Sequence, residues 1–235
     1  MVKPPTVKII LSLAIQFNWP LKQLDVRIAF LHGFLTEEVF MVQPPGYVDP
    51  ALPNHVCLSQ KSLYGLKQAP RAWFERFSTH LLLLVYVDDI VLTGNCLSLL
   101  QSLIQQLSSE FELKDLGNLH YFLGLQITHT SKGLYVNQSK YAQDLLLMHN
   151  MLSAKAAKTP CAPNLRPVPT EGSLLANPYV YRSMVGHYLT FTRPDLNFAI
   201  HQVCQFMSTL GEAHLIVAKR ILRYVSDTLN FGIFF

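Results

Sequence analysis

The sequence predicts an α+β fold: an antiparallel sheet with packed helices, followed by a mostly α-helical C-terminal part. Three observations predict it. Short β-prone runs alternate with helical stretches up to Val136. Two adjacent acids, Asp88 and Asp89, interrupt the apolar run LLLLVYVDDIVLTG (81–94) as the turn of a hairpin does. From Asn137 onward the apolar spacing is helical in most segments. These features set the boundary between two parts, 1–136 and 137–235.

Each element has its own signal. Residues 6–17 place apolar side chains at 7, 10, 11, 14 and 15, a helical stripe opened by Pro4-Pro5 and closed by Asn18-Trp19-Pro20. Residues 21–26 (LKQLDV) read as a short strand with Asp25 near its end, followed by apolar Ile28-Ala29-Phe30-Leu31. Residues 36–56 form a small proline-rich β or loop region, and 61–71 (KSLYGLKQAPR) a basic loop leading into a helix at 69–80. The acid hairpin has strands at 83–87 and 90–93. Residues 96–111 carry Leu97, Leu100, Leu103, Ile104, Leu107 and Phe111 on one helical stripe. Residues 121–128 and 134–136 form a second hairpin around Ser131-Lys132-Gly133, and 138–151 are helical. The stretch 153–178 holds five prolines and reads as an extended connection. Helices follow at 181–189, 194–207 and 213–225. The last buries Leu215, Ala218, Leu222 and Val225 and exposes Lys219, Arg220 and Arg223.

Bulk properties exclude several classes. With 50% hydrophobic and only 14% charged residues, the chain is globular rather than disordered. Its net charge of +4 is compatible with nucleic-acid binding but does not single it out. Cys57, Cys96, Cys161 and Cys204 are widely spaced, which argues against a zinc site or disulfide framework and for reduced thiols. The apolar run at 81–87 is too short to span a bilayer, and MVKPPTVK lacks the apolar core of a signal peptide, so an intracellular, cytoplasmic chain is expected.

Asp25 at a strand end and Asp88-Asp89 at a hairpin tip converge if their strands lie side by side. Three carboxylates suffice to hold two divalent cations, which clamp the attacking and leaving oxygens of a phosphoryl displacement. Spacing alone leaves the alternative of a solvated polar turn open.

The surrounding residues are specific. QLDVxxAFLHG (23–33), LYGLKQAPRAW (63–73), YVDD (86–89) and YFLG (121–124) closely resemble the reverse transcriptase of Ty1/copia-type LTR retrotransposon Pol polyproteins. QSKY (138–141), TRPD (192–195) and KRILRY (219–224) are similar to the C-terminal part of the same region. The resemblance implies a polymerase palm-like sheet followed by a thumb- or connection-like helical part. It implies RNA-directed DNA polymerisation with two Mg²⁺ (or Mn²⁺), an RNA template/DNA primer duplex and deoxynucleotides as partners, and a virus-like particle as setting. It assigns Asp25, Asp88 and Asp89 as catalytic metal ligands, with the Val26 carbonyl nearby. Phe30 takes the position of a ring that rejects a 2′-hydroxyl; its other reading is a core phenylalanine. Tyr64, Lys67 and Arg71 fall in the loop and helix start beneath the templating base and nucleotide, and Tyr121, Phe122, Leu123 and Gly124 in the primer-grip hairpin. Lys114 is a candidate proton donor to pyrophosphate.

The chain departs from that pattern. Asp25 falls close to the N-terminus, so the basic fingers region that grips the triphosphate is expected to be largely missing. Between Arg71 and Tyr86 the interval is much shorter than in the family, which reads as an internal deletion. The stretch 184–189 runs about two positions short, a rotation of roughly 200° along a helix. Ile28 stands where a polar residue is usual. No RNase H or integrase signature is present. The reading is a reverse transcriptase fragment, expected to be inactive as it stands. The rivals are a non-catalytic remnant binding nucleic acid or a partner, and a different two-metal enzyme such as a nuclease.

Overall fold

The structure is a computed structural model that describes residues 3–78, 84–86, 89–162, 178–185, 187–205 and 211–235. Its contacts divide the chain into two units, 1–119 and 120–235.

In the first unit, helix α1 (Pro4–Gln16) starts on two prolines and buries Val7, Leu11 and Ala14, one per turn. Asn18, at φ 54°, closes it: Asn18 N–H donates to the Ile15 carbonyl and Trp19 N–H to that of Ala14. This paired cap satisfies carbonyls of the last turn and leads the chain into β1 (Leu21–Val26). A 3-10 turn (Ala29–His32) leads to a two-stranded ribbon, β2 (Phe34–Val42) with β3 (Val56–Lys61). Next come α2 (Ala69–Ser78), β4 (Leu84–Tyr86), β5 (Asp89–Thr93), α3 (Leu97–Glu110) and β6 (Leu113–Asn118). Strands β4, β5, β1 and β6 lie side by side in that order, with antiparallel neighbours.

Strand alternation divides this sheet into two faces. Leu24, Val26, Ile90 and Leu92 join Ala69 and Trp73 of α2 and Leu100 and Leu107 of α3 in one core. Trp73 meets Phe111 edge-on, with ring centroids 5.4 Å apart at 85°. Gly33 lets the turn after β1 press against α2, because a Cβ there would come within 2.9 Å of the Ala72 and Trp73 backbone. Its carbonyl accepts the Ser62 N–H at 2.9 Å, which ties the end of β3 to the same corner.

The second unit holds an antiparallel sheet and a helical layer. Strands β7 (Tyr121–Phe122), β8 (Leu125–Thr130) and β9 (Gly133–Asn137) form a meander, followed by α4 (Ser139–Met148), α5 (Pro178–Met184), α6 (Asn197–Cys204) and α7 (Glu212–Asp227). Strand β10 (Gly232–Phe234) then returns to pair with β9. Apolar spacing predicts a single strand over 121–128. It is broken at Leu123 and Gly124, both at positive φ (53° and 77°), the dihedral signature of a tight two-residue hairpin. Strand β10 leaves no such signal in the sequence, because three residues carry too little periodicity. Helix α7 buries Val217, Ala218, Ile221, Leu222 and Val225, with Leu215 at the margin of the core.

One charged cluster locks this unit. Arg193, only 2% exposed, donates Nε to Asp195 Oδ1 (3.0 Å) and Nη2 to Oδ2 (2.8 Å). Its Nη1 donates to the Thr228 carbonyl and Nη2 to the Thr228 Oγ1, joining the TRPD turn to the end of α7. Tyr224 and Phe231 place their rings 5.5 and 5.2 Å from the guanidinium carbon, and the Tyr224 hydroxyl donates to Asp195. Burial pushes the Asp195 carboxyl up, but the Arg193 hydrogen bond and charge, with the Tyr224 hydroxyl, hold it below its ordinary value of 3.8 on balance. Removing Asp195 leaves a buried guanidinium uncompensated, a loss of about 3–5 kcal/mol. The expected pH dependence follows from the lowered value: the stabilisation is full above pH 3.8 and is lost as the pH falls through the folded value. Urea unfolding from pH 6 to pH 2 should therefore show an acid-labile component that Asp195→Asn removes; an unchanged pH profile in the variant contradicts the assignment.

Candidate active site

The register between β1 and β5 brings two of the expected acids together. Asp25 lies directly opposite Asp89, with Leu24 opposite Ile90 and Gln23 opposite Val91. Asp25 and Asp89 therefore share a sheet face, while Leu24 and Ile90 turn into the core on the other. Both acids are partly exposed, next to Gln23 and Val91, which are buried on the same face. Like charges directly opposite one another destabilise a sheet unless a counter-charge intervenes. Asp88 lies outside the described residues. Among the described residues no group of three metal-ligating side chains comes together, and the two opposed carboxylates are what remain to fit divalent cations.

On the other flank of β1 a bulge selects the neighbour of Asp25. Lys22 pairs with Asn118, but Leu24 pairs with Asp115 and Asp25 with Lys114, so β6 carries one extra residue. Gly117 provides it at φ 81°, and its N–H donates to Asp115 Oδ1 at 2.7 Å. Without that extra residue the register set at Lys22 would place Asp115, a third acid, opposite Asp25. The bulge substitutes a lysine. Only the Asp-x-Gly spacing at 115–117 signals it in the sequence, and the motifs that single out the acids do not include it.

The remaining expected residues are distributed as follows. The Val26 side chain is buried in the core at the end of β1. Phe30 is 7% exposed in the same core, its ring 4.5 Å from that of Tyr64, which is 53% exposed. Lys67 and Arg71 are exposed at the loop leading into α2 and in its first turn. Phe122 is buried, Tyr121 is exposed, and Leu123-Gly124 form the β7–β8 turn; all four belong to the second unit.

The first unit is thus an antiparallel sheet backed by two helices on one face, with opposed carboxylates on the other. A family model described as "Reverse transcriptase (RNA-dependent DNA polymerase)" matches residues 1–82 and 76–163. The chain belongs to this family, as a reverse transcriptase fragment of the Ty1/copia retrotransposon type. It is 43% identical to the retrovirus-related Pol polyprotein from transposon RE1 of Arabidopsis thaliana, over all of this chain and 18% of that protein. It is 36% identical to the corresponding polyprotein from transposon TNT 1-94 of Nicotiana tabacum, over 99% of this chain and 20% of that one. An uncharacterised mitochondrial protein of Arabidopsis thaliana is 45% identical over 65% of this chain and 64% of its own length. The chain thus spans about a fifth of the polyproteins it matches. No solved structure matches.

These alignments bear on the expected deletion. The RE1 match runs over 260 residues against the 235 residues here, so that relative carries sequence with no counterpart in this chain. The family match also breaks into two segments at residues 76–82, the junction of α2 and β4. That junction lies partly outside the described residues, as does Gly186 in the stretch 184–189 that is expected to run short.

Ile28 shows a physical cost of its departure. It sits three residues after Asp25 at φ 55°, ψ 44°, half exposed, a left-handed conformation that β-branched residues rarely adopt. Asn tolerates that region far better. Ile28→Asn is expected to raise stability by about 1 kcal/mol, read as an upward shift in the urea midpoint with unchanged slope. A lower midpoint contradicts the backbone assignment.

Proposed function

We propose that this chain carries the catalytic centre of an RNA-directed DNA polymerase and that, as it stands, it does not extend a primer. The observation that supports the first statement is the Asp25–Asp89 register. Asp25, Asp89 and Asp88 would hold two Mg²⁺ ions, with Mn²⁺ as a substitute and the Val26 carbonyl as a further ligand. When bound, such ions neutralise charge on the attacking 3′-oxygen and the leaving pyrophosphate.

The chain's own groups divide the remaining work. Lys114, opposite Asp25, would hold a proton at Nζ for the departing pyrophosphate. The Phe30–Tyr64 ring pair would exclude a 2′-hydroxyl, with Tyr64 as the accessible member. Lys67 and Arg71, exposed around the start of α2, would meet nucleotide or template phosphates. The turn at Leu123-Gly124, flanked by Tyr121 and Phe122, would approach the primer backbone. The sequence present in RE1 and missing here supports the second statement, because catalysis requires the reacting groups to be held in near-attack geometry.

The test is primer extension on RNA with deoxynucleotides and Mg²⁺ or Mn²⁺, for this chain and for one with the RE1 sequence restored between α2 and β4. The expected result is no product from the first and product from the second that Asp89→Asn abolishes. Extension by the unrestored chain, lost in Asp88→Asn, overturns the inactivity; extension that survives Asp89→Asn overturns the catalytic assignment.

A further inference from the structure

The β2–β3 ribbon keeps an apolar face in water. Its register pairs Phe40 with Leu58 and Val42 with Val56, and strand alternation puts all four side chains on one face. Each of the four is more than half exposed. Side chains of this kind stabilise a strand by packing against neighbours, and a ribbon of two strands is marginally stable alone.

The connection at 43–55 holds the ribbon's tip in shape. It is built around Gln43, whose amide nitrogen donates to the Leu52 and His55 carbonyls at 2.8 and 2.9 Å and whose Oε1 accepts the Asp49 N–H at 2.7 Å. Tyr47 N–H donates to the Pro44 carbonyl at 3.0 Å across Pro45-Gly46, and Gly46 at φ 87° gives the form of a type II turn. Tyr47, Val48 and Leu52 are thereby presented at the surface by an ordered loop, which reduces the entropy lost when a partner covers them.

Charge and area narrow the choice of partner. Residues 34–60 contain Glu37, Glu38 and Asp49 and no Lys or Arg. Such a surface repels phosphate backbones and anionic bilayers and suits an apolar protein face. The four face residues expose roughly 400 Å² and the three loop residues roughly 300 Å² more, close to the ~800 Å² that each partner gives to a standard interface. A flat, uncharged, apolar face complements itself, which is what a two-fold pair requires. The acids set the direction of that pair. From Phe34 to Val39 on β2 the partner strand moves only from Lys61 to Ser59, so Glu37 and Glu38 lie in a bulge at the base of the ribbon. Stacking base over base would bring the glutamates of both copies together. Stacking base over tip sets them beside the loop and the exposed His55 instead.

We propose that the Phe40–Val42–Val56–Leu58 face is a self-association surface: two copies of this chain stack their ribbons face to face, base over tip, about a two-fold axis. The pairing uses neither Asp25 nor Asp89, and neither metal nor nucleic acid, so it stands apart from the chemistry proposed for those acids.

Sedimentation of the full chain, in EDTA and without nucleic acid, tests this from about 1 to about 100 μM, the weak end of the range for interfaces of this size. The expected result is a monomer–dimer equilibrium. Val42→Lys/Leu58→Lys changes only exposed side chains and should weaken dimerisation at least tenfold. Val42→Thr/Val56→Thr keeps β-branching and should weaken it severalfold; it decides the matter if the lysine variant misfolds. Cys57→Ser lies on the ribbon's other face and should dimerise as the unaltered chain does. A chain that stays monomeric throughout overturns the proposal, as does undiminished dimerisation of the face variants or its loss in Cys57→Ser. Growth beyond a dimer with rising concentration overturns the two-fold arrangement. A monomer that binds neutral phosphatidylcholine vesicles through these residues assigns the face to lipid and overturns the second copy.

Discussion

The antiparallel pairing of β1 with β5 is the constraint on which the first unit depends. A side-chain period of two means that one register decision sorts every residue of both strands. In the register observed, Leu24, Ile90 and Leu92 reach the core shared with α2 and α3, while Asp25 and Asp89 meet on the opposite face. A slip of one residue would bury one of the acids in that core and expose a leucine, so the core enforces the juxtaposition of the carboxylates. Packing energy thus holds together two like charges that would otherwise separate.

The neighbouring strands refine that arrangement. On one side the Gly117 bulge sets Lys114 rather than Asp115 beside Asp25, limiting the local negative charge. On the other, Gly33 allows the turn after β1 to seat against α2, carrying Phe30 and Tyr64 to the same corner. The second unit is stabilised differently. Its buried Arg193 ties the TRPD turn to the end of α7 through Asp195, Thr228 and two aromatic rings.

Much of this is legible in the sequence because the signals are local. The stripe at 96–111 forms α3, and Asn18 closes α1 where the chain turns. Leu21–Val26 is a strand with Asp25 near its end, as alternation and flanking residues require. What escapes is set by dihedral angles and distant pairing. Leu123-Gly124 looks like a strand interior by hydrophobicity, yet both residues adopt positive φ. Strand β10 exists because β9, far earlier in the chain, offers it an edge. Arg220 and Arg223 are expected to be exposed; they are half buried because the segment at 155–161 lies against α7, a contact no local pattern encodes. The acids are identified by motif, but their apposition is a property of the register.

The central claim is that Asp25 and Asp89 together form a cation site, and thermal unfolding of Asp25→Asn, Asp89→Asn and the double variant tests it most directly. In EDTA each single change should leave stability unchanged or raise it, by relieving like-charge repulsion. In a few millimolar Mg²⁺ the unaltered chain should gain melting temperature through mass action, and either single change should remove that gain. The double variant should then lose no more than either single one, the mark of a shared site. An identical Mg²⁺ shift in all four chains would contradict the account.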